Sequence, residues 1–143
     1  METVYLIGVD GSNCSERAVS YVTERAKQSG GSVLVTHVIE WSPYSFSTPE
    51  ENAQRHQRRE QELDRAHKEI VDPIVGRLQD AGVEAKGLVA HGNVAQTVDR
   101  LARENDVTCI VIGRKGAGRL AQFFGSVASR LVQIVDRPVT VVP

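Results

Sequence analysis

Along the 143-residue chain, short continuous apolar runs alternate with longer stretches of helical periodicity. Residues 4–9, 33–39 and 107–112 are nearly uninterrupted and rich in β-branched side chains, the pattern of strands covered on both faces. A weaker run at 85–90 is broken by Lys86 and Gly87, and a last one occupies 139–142. Between them, Ala18, Val19, Val22 and Ala26 form one apolar stripe. Ser12 or Ser15 can cap that helix, Glu16 sits in its opening turn, and Gly30-Gly31 stops it. Residues 49–81 carry Leu63, Ala66, Ile70 and Ile74 on one face, with Pro73 predicted to kink or break the stretch. Asn93 caps a helix bearing Val94, Val98, Leu101 and Ala102. A further helix is predicted over 126–135, with Val127, Leu131 and Val135 inward and Pro138 setting the entry to the last strand.

Strand and helix alternating at these connection lengths predict a parallel sheet of right-handed βαβ units. The expectation is one doubly wound α/β domain over residues 1–143, without internal repeat or linker. Composition agrees, since 41% apolar and 24% charged residues suit a chain that buries a core without disulfides. A net charge of −1 gives no reason to expect nucleic acid or an anionic membrane as partner. The apolar run after Met1 is too short for a signal peptide or a membrane span, so a cytoplasmic location is expected. Cys14 and Cys109 have no metal-ligand spacing, and Cys109 in its apolar run reads as a buried, inert thiol.

In open parallel sheets, ligands sit outside the carboxyl ends of the strands, where the strand order reverses. Asp10-Gly11-Ser12 follows the first strand and His37-Val38-Ile39 ends the second. Gly113-Arg114-Lys115-Gly116-Ala117-Gly118 follows the fourth, and Gly125-Ser126 is expected to open the next helix. Glycines let backbone amides approach phosphate oxygens, and a helix N-terminus adds unpaired N–H donors and partial positive charge. Arg114, Lys115 and Arg119 add cations, yet the loop is neither GxxxxGK[ST] nor a GxGxxG after the first strand. Asp10 either caps the first helix or faces a ligand. His37 reads as a packed or hydrogen-bonded structural histidine, whereas His91, beside Gly92, is better placed for a ligand. His56 and His67 share a helix face but stand too far apart to hold one metal. The charge-dense run 54–69 reads as a solvated face laced by Arg58–Glu62, Asp64–Lys68 and Arg65–Glu69. Trp41, Tyr44 and Phe46 either lid a ligand, meet a partner or cap the core.

Taken together, Val9-Asp10-Gly11-Ser12, Thr36-His37-Val38-Ile39, Gly92, Val111-Ile112-Gly113-Arg114-Lys115-Gly116, Gly125-Ser126-Val127 and Pro138-Val139-Thr140-Val141-Val142 resemble the universal stress protein family over essentially the whole chain. The resemblance implies a Rossmann-like, adenine-nucleotide α-hydrolase-like sheet with strand order 3-2-1-4-5. It implies a site for ATP or AMP in which Asp10 faces the ribose or adenine and Val38 meets the base through its backbone. Val9 and Ile112 would wall the site, and Gly113, Gly116, Gly125 and Ser126 would hold the phosphates, with Val127 alongside. Apart from the resemblance, Arg114 and Lys115 lie in the same loop, where both either reach phosphate or stay solvated. Mg²⁺ or Mn²⁺ would be held mainly by the phosphates and water. The resemblance also implies a homodimer through residues 139–142, which would cover an apolar edge strand. The family's glycine motif has nine residues between GxxG and G[ST]; here residues 117–124 make eight.

Two functions follow. One is an adenine-nucleotide-binding stress or regulatory protein, acting on an unidentified protein partner, with at most slow ATP hydrolysis. No general base or water-positioning residue can be assigned beyond Gln122. The other, favoured by the short loop, is a nucleotide-free dimeric interaction module of the same fold. A PP-loop ATP pyrophosphatase is disfavoured, because no SGGxDS-like loop follows the first strand.

Overall fold

The strands β1 (Val4–Gly8), β2 (Ser32–Glu40), β3 (Ala85–Gly92), β4 (Cys109–Gly113) and β5 (Val139–Val142) form one parallel sheet in the order β3-β2-β1-β4-β5. This computed structural model describes residues 2–10, 15–40, 49–114 and 121–143, with backbone alone for residues 15 and 121–126. The sheet is the expected doubly wound α/β arrangement. Its strands alternate between two buried clusters. Ile7, Val33, Val35 and Val111 pack on one face, and Leu6, Leu34, Ile110 and Ile112 on the other. Burial on both faces is why these runs are continuous in sequence.

On the first face lies α1 (Ser15–Ser29), whose Ala18, Val19, Val22 and Ala26 are buried. Gly30 ends it at φ +70°, and the Gly31 N–H returns to the Ala26 carbonyl at 3.0 Å, a left-handed closure that glycine adopts without strain. The same face carries a long helical segment made of α2 (Pro49–Ala66), a π-helical turn (His67–Val71) and α3 (Asp72–Asp80). The stretch is thus divided into two α-helices as expected, with Pro73 in the first turn of α3, where a missing N–H is tolerated. Proline has no N–H, and its ring crowds the carbonyl four residues back. A widened turn relieves this, and the Asp72 N–H bonds the His67 carbonyl, five residues back. The turn rests on β3 at Gly87, where a Cβ would collide with Val71 and come within 3.1 Å of His67 Cε1.

The opposite face is covered by α4 (Val94–Glu104) and α5 (Ala121–Ile134). Asn93 caps α4 as expected, its side-chain oxygen accepting from the Gln96 N–H at 3.1 Å. α5 starts five residues before the predicted 126, so Gly125 and Ser126 lie in its second turn and do not open it. Residues 121–124, Ala-Gln-Phe-Phe, hold no helix breaker, and a glycine inside a helix costs about 1 kcal/mol without stopping it. β4 begins two residues later than predicted because the Val107 N–H is taken by the Ala102 carbonyl at 2.9 Å, closing the end of α4. Arg137 clamps that turn, donating from one nitrogen to the carbonyls of Ala102 (2.7 Å) and Val107 (3.0 Å). Cys109 is half-buried, with Sγ 3.5 Å from Thr140 Oγ1. Among the described residues, no helix is long and apolar enough to cross a membrane.

Candidate functional site

From β1 the chain winds to β2 and β3 on one side and later to β4 and β5 on the other. The reversal leaves a crevice where the carboxyl ends of β1 and β4 diverge. A cavity of about 320 Å³ opens there. Its floor is Gly8, and Val9 and Asp10 follow from β1. Thr36 to Glu40 come from β2 and Ile112 from β4, while Val94 and Val98 of α4 and Val127 of α5 close the side. The lining is mostly apolar, with few polar groups in place, as in small-molecule pockets.

The cavity exists because of how β1 and β2 end. Gly8 stands opposite Thr36, and the Val9 N–H closes the last rung on the Thr36 carbonyl at 2.9 Å. Backbone groups alternate sides along a strand, so Val38 turns its N–H and C=O toward β1, beyond that rung and into the pocket mouth. His37 Nδ1 lies 2.7 Å from the Val9 carbonyl oxygen. A carbonyl only accepts, so Nδ1 carries the proton and donates. This agrees with the structural reading of His37, a residue that also borders the cavity. A Cβ on Gly8 would lie 3.4 Å from Ile112 Cγ2, so the glycine keeps the floor low. Thr36 is 1% exposed, and its Oγ1 has no hydrogen-bond partner among the described residues.

Of the residues singled out from sequence, Val9, Asp10, Val38, Ile112 and Val127 meet around this cavity. Gly113 is the last residue of β4 and is buried, and Arg114 extends the β4–β5 ladder through its N–H to the Val142 carbonyl at 2.7 Å. Gly125 and Ser126 immediately precede Val127 on α5. Gly116, with Lys115, Arg119, Ser12, Cys14, Trp41, Tyr44 and Phe46, lies outside the described residues. His91 does not line the cavity; its Nε2 stands 3.1 Å from Glu62 Oε2, tying α2 to the end of β3. That contact occupies the Glu62 expected to pair with Arg58. The other two expected pairs form, Lys68–Asp64 at 3.1 Å and Arg65–Glu69 at 3.4 Å. Sequence reasoning placed His37, Val38 and Ile39 at this end of the sheet but missed Gly8, Thr36, Glu40, Val94 and Val98 as pocket residues. Val94 and Val98 lay in an i,i+4 stripe indistinguishable from core, while Thr36 stood in the family motif Thr36-His37-Val38-Ile39 with no role assigned to it.

The model of the universal stress protein family matches residues 4–143. The chain is 28% identical over 154 residues to universal stress protein MT2052 of Mycobacterium tuberculosis, covering 96% of this chain and 47% of that protein. It is 25% identical over 151 residues to universal stress protein YxiE of Bacillus subtilis, covering 96% of each. The chain thus spans about half the length of the mycobacterial relatives it matches. Among solved structures, that of protein MJ0577 superposes with a TM-score of 0.80 at 23% identity, over 99% of this chain and 96% of that one. The universal stress protein from Archaeoglobus fulgidus in complex with dAMP gives 0.66 at 21%, over 99% and 98%. A universal stress protein in complex with cAMP gives 0.67 at 20%, over 99% and 96%. At these identities the structures speak for the fold alone, and the nucleotides belong to those proteins.

Proposed function

The chain belongs to the universal stress protein family, and from that premise we propose that it binds an adenine nucleotide, ATP or AMP, and acts as a regulatory or stress-response binding protein. The observation that carries this reading is the apolar pocket at the switch point, with the main chain of Val38 turned into its mouth. Small-molecule pockets run from roughly 300 to 1,000 Å³. At about 320 Å³ the cavity suits a base and sugar and leaves the phosphates outside it. Val9, Ile112, Val94, Val98 and Val127 offer hydrocarbon to the faces of a flat ring, and Val38 offers a backbone donor and acceptor to its edge. Asp10, at the end of β1, is placed for ribose hydroxyls. The segment that leaves β4 at Gly113 and Arg114 and returns through Gly125 and Ser126 takes the phosphates, with Gly116 between them. Mg²⁺ or Mn²⁺ would be bound through the phosphates and water. The nucleotide complexes of two structural neighbours support this reading.

The same proposal has residues 1–143 act as one domain in the cytoplasm, with at most slow ATP hydrolysis and an unidentified regulatory protein as partner. A homodimer through β5 is part of it. Val141 on this edge strand and Val132 on α5 are exposed, and a second copy would cover them. The eight-residue spacing of residues 117–124 favours a second reading, a nucleotide-free dimeric interaction module.

The test is to purify the protein without added nucleotide, denature it, identify any released small molecule by mass spectrometry, and titrate the emptied protein with ATP. Adenylate released near one per chain, or saturable micromolar binding, supports the nucleotide site. No release, and no binding at millimolar ATP with magnesium, rejects it in favour of the second reading.

A further inference from the structure

We propose that the Thr36 hydroxyl is a specificity-determining group of the pocket, forming a hydrogen bond with the buried edge of a nitrogen heterocycle. The inference rests on the nucleotide reading above and says which side chain selects the base. Its direction follows from the sheet. Leu34 and Val38 pack with the α4–α5 cluster, and Val33 and Val35 with the opposite one. Side chains alternate along a strand, so Thr36 turns toward α4 and the pocket it lines. Its registered neighbour on β1 is Gly8, which has no side chain. On the β1 side the space beside Thr36 therefore belongs to the pocket, while Leu88 of β3 packs on its other side.

No part of the described fold uses this hydroxyl. Thr36 is 1% exposed, and Oγ1 has no partner among the described residues. The pocket side chains on that face, Val98 and Ile112, are hydrocarbon. A buried hydroxyl without a partner destabilises the chain that holds it, and a group inserted from outside that bonds it recovers that cost. A threonine hydroxyl donates or accepts, so it can serve a ring nitrogen or an exocyclic amine, which adenine carries on its edges. A ligand with only hydrocarbon at this depth leaves the hydroxyl unsatisfied and is rejected. This is how a polar group in a dry pocket discriminates.

The experiment compares Thr36→Val and Thr36→Ser with the unaltered protein, by calorimetric titration with ATP and by thermal melts without ligand. The probes also include deaza analogues, each with one ring nitrogen of adenine replaced by CH, and the nucleotide lacking the exocyclic amine. Thr36→Val is expected to raise the Kd for ATP roughly tenfold, while its ligand-free melting temperature stays the same or rises. Thr36→Ser keeps the affinity to within about threefold, since it keeps the hydroxyl. One analogue should lose roughly tenfold against the unaltered protein and nothing further against Thr36→Val. Equal ATP affinity in the unaltered protein and Thr36→Val overturns this proposal and leaves the nucleotide site standing. A lower ligand-free melting temperature for Thr36→Val also overturns it, because the hydroxyl then has an internal role. Absence of ATP binding by the unaltered protein rejects the nucleotide reading itself.

Discussion

His37 reaches back across the end of the sheet to Val9, its Nδ1 standing 2.7 Å from the Val9 carbonyl oxygen. Continued by one rung, the β1–β2 ladder would give that carbonyl to the Val38 N–H. The imidazole takes it instead, and the pairing stops at Gly8 and Thr36. One side chain thus terminates the ladder where the proposed base-binding edge begins.

His37→Phe keeps the ring and removes the donor. Leaving the half-buried carbonyl without this bond should cost about 1–2 kcal/mol, read as a lower urea midpoint. If the Val38 N–H takes the freed carbonyl instead, the stability loss should be smaller and nucleotide affinity should fall. Unchanged stability would mean that the contact is incidental.

Gly8→Val should separate fold from pocket. The added Cβ meets Ile112 at ordinary contact distance, 3.4 Å, and valine suits a strand better than glycine. The remaining methyl groups then occupy the floor beside Thr36. Circular dichroism and the thermal midpoint should be retained or improved while ATP binding drops below detection. Retained binding would put the ligand elsewhere.

Glu16 and Arg77 join α1 to α3 through two contacts, 2.9 Å from Arg77 Nη1 to Glu16 Oε1 and 2.8 Å from Nη2 to Oε2. The hydrogen bond from Arg77 is the main cause holding the Glu16 carboxyl below its ordinary range, aided by the guanidinium charge and opposed by slight desolvation. A carboxyl with a lowered folded pKa contributes stability above its unfolded value and loses it as pH falls through the folded one. Both side chains are about half exposed, so solvent screening limits the pair to about 0.2–1 kcal/mol. Glu16→Gln should lose that amount at neutral pH in urea titrations and nothing in acid below the carboxyl's folded pKa. A penalty that persists in acid would assign the loss to packing.

Two glycines should answer oppositely to alanine. At Gly87 the new methyl collides with Val71 under the π-helical turn, and overpacking of this kind costs about 1–3 kcal/mol. At Gly76, inside α3, a Cβ meets nothing within 4 Å, and alanine should add about 1 kcal/mol. Urea midpoints moving in the same direction would contradict the seating of the turn on β3.

Val141→Lys places a charge on the exposed edge of β5. If a second copy covers that edge, sedimentation should show a dimer for the unaltered protein and a monomer for the variant at equal concentration. A variant that remains dimeric would move the interface away from this strand.

Much of this fold was legible because burial on both faces leaves β1, β2 and β4 as continuous apolar runs. β3 was fainter for a physical reason. It lies at the sheet edge, exposes Lys86 and makes room for a helix at Gly87. The pocket residues named from sequence, Val9, Asp10, Val38, Ile112 and Val127, came through the family resemblance, whose motifs fall at strand ends or beside the glycine motif. The Gly8–Thr36 pairing was hidden because it depends on strand register, which no local pattern encodes. The Glu62–His91 contact joins residues 29 apart, beyond the reach of i,i+4 reasoning. The early start of α5 escaped because its first residues carry neither a cap nor a breaker.

The π-helical turn at His67–Val71 holds a surplus residue between two stretches of ordinary helix. Losing one position there would restore regular winding without breaking the segment, so the chain could absorb such a deletion locally. A π-turn winds the chain by less per residue than ordinary helix does, so the surplus residue leaves the two flanking stretches in phase. Ala66 would keep its buried position, and Glu62 its place beside His91. A residue lost instead from ordinary helix between Glu62 and Ala66 would turn Glu62 by about 100° and swing it away from His91. The count of residues between β2 and β3 is therefore forgiving at the π-turn and an angular setting within α2.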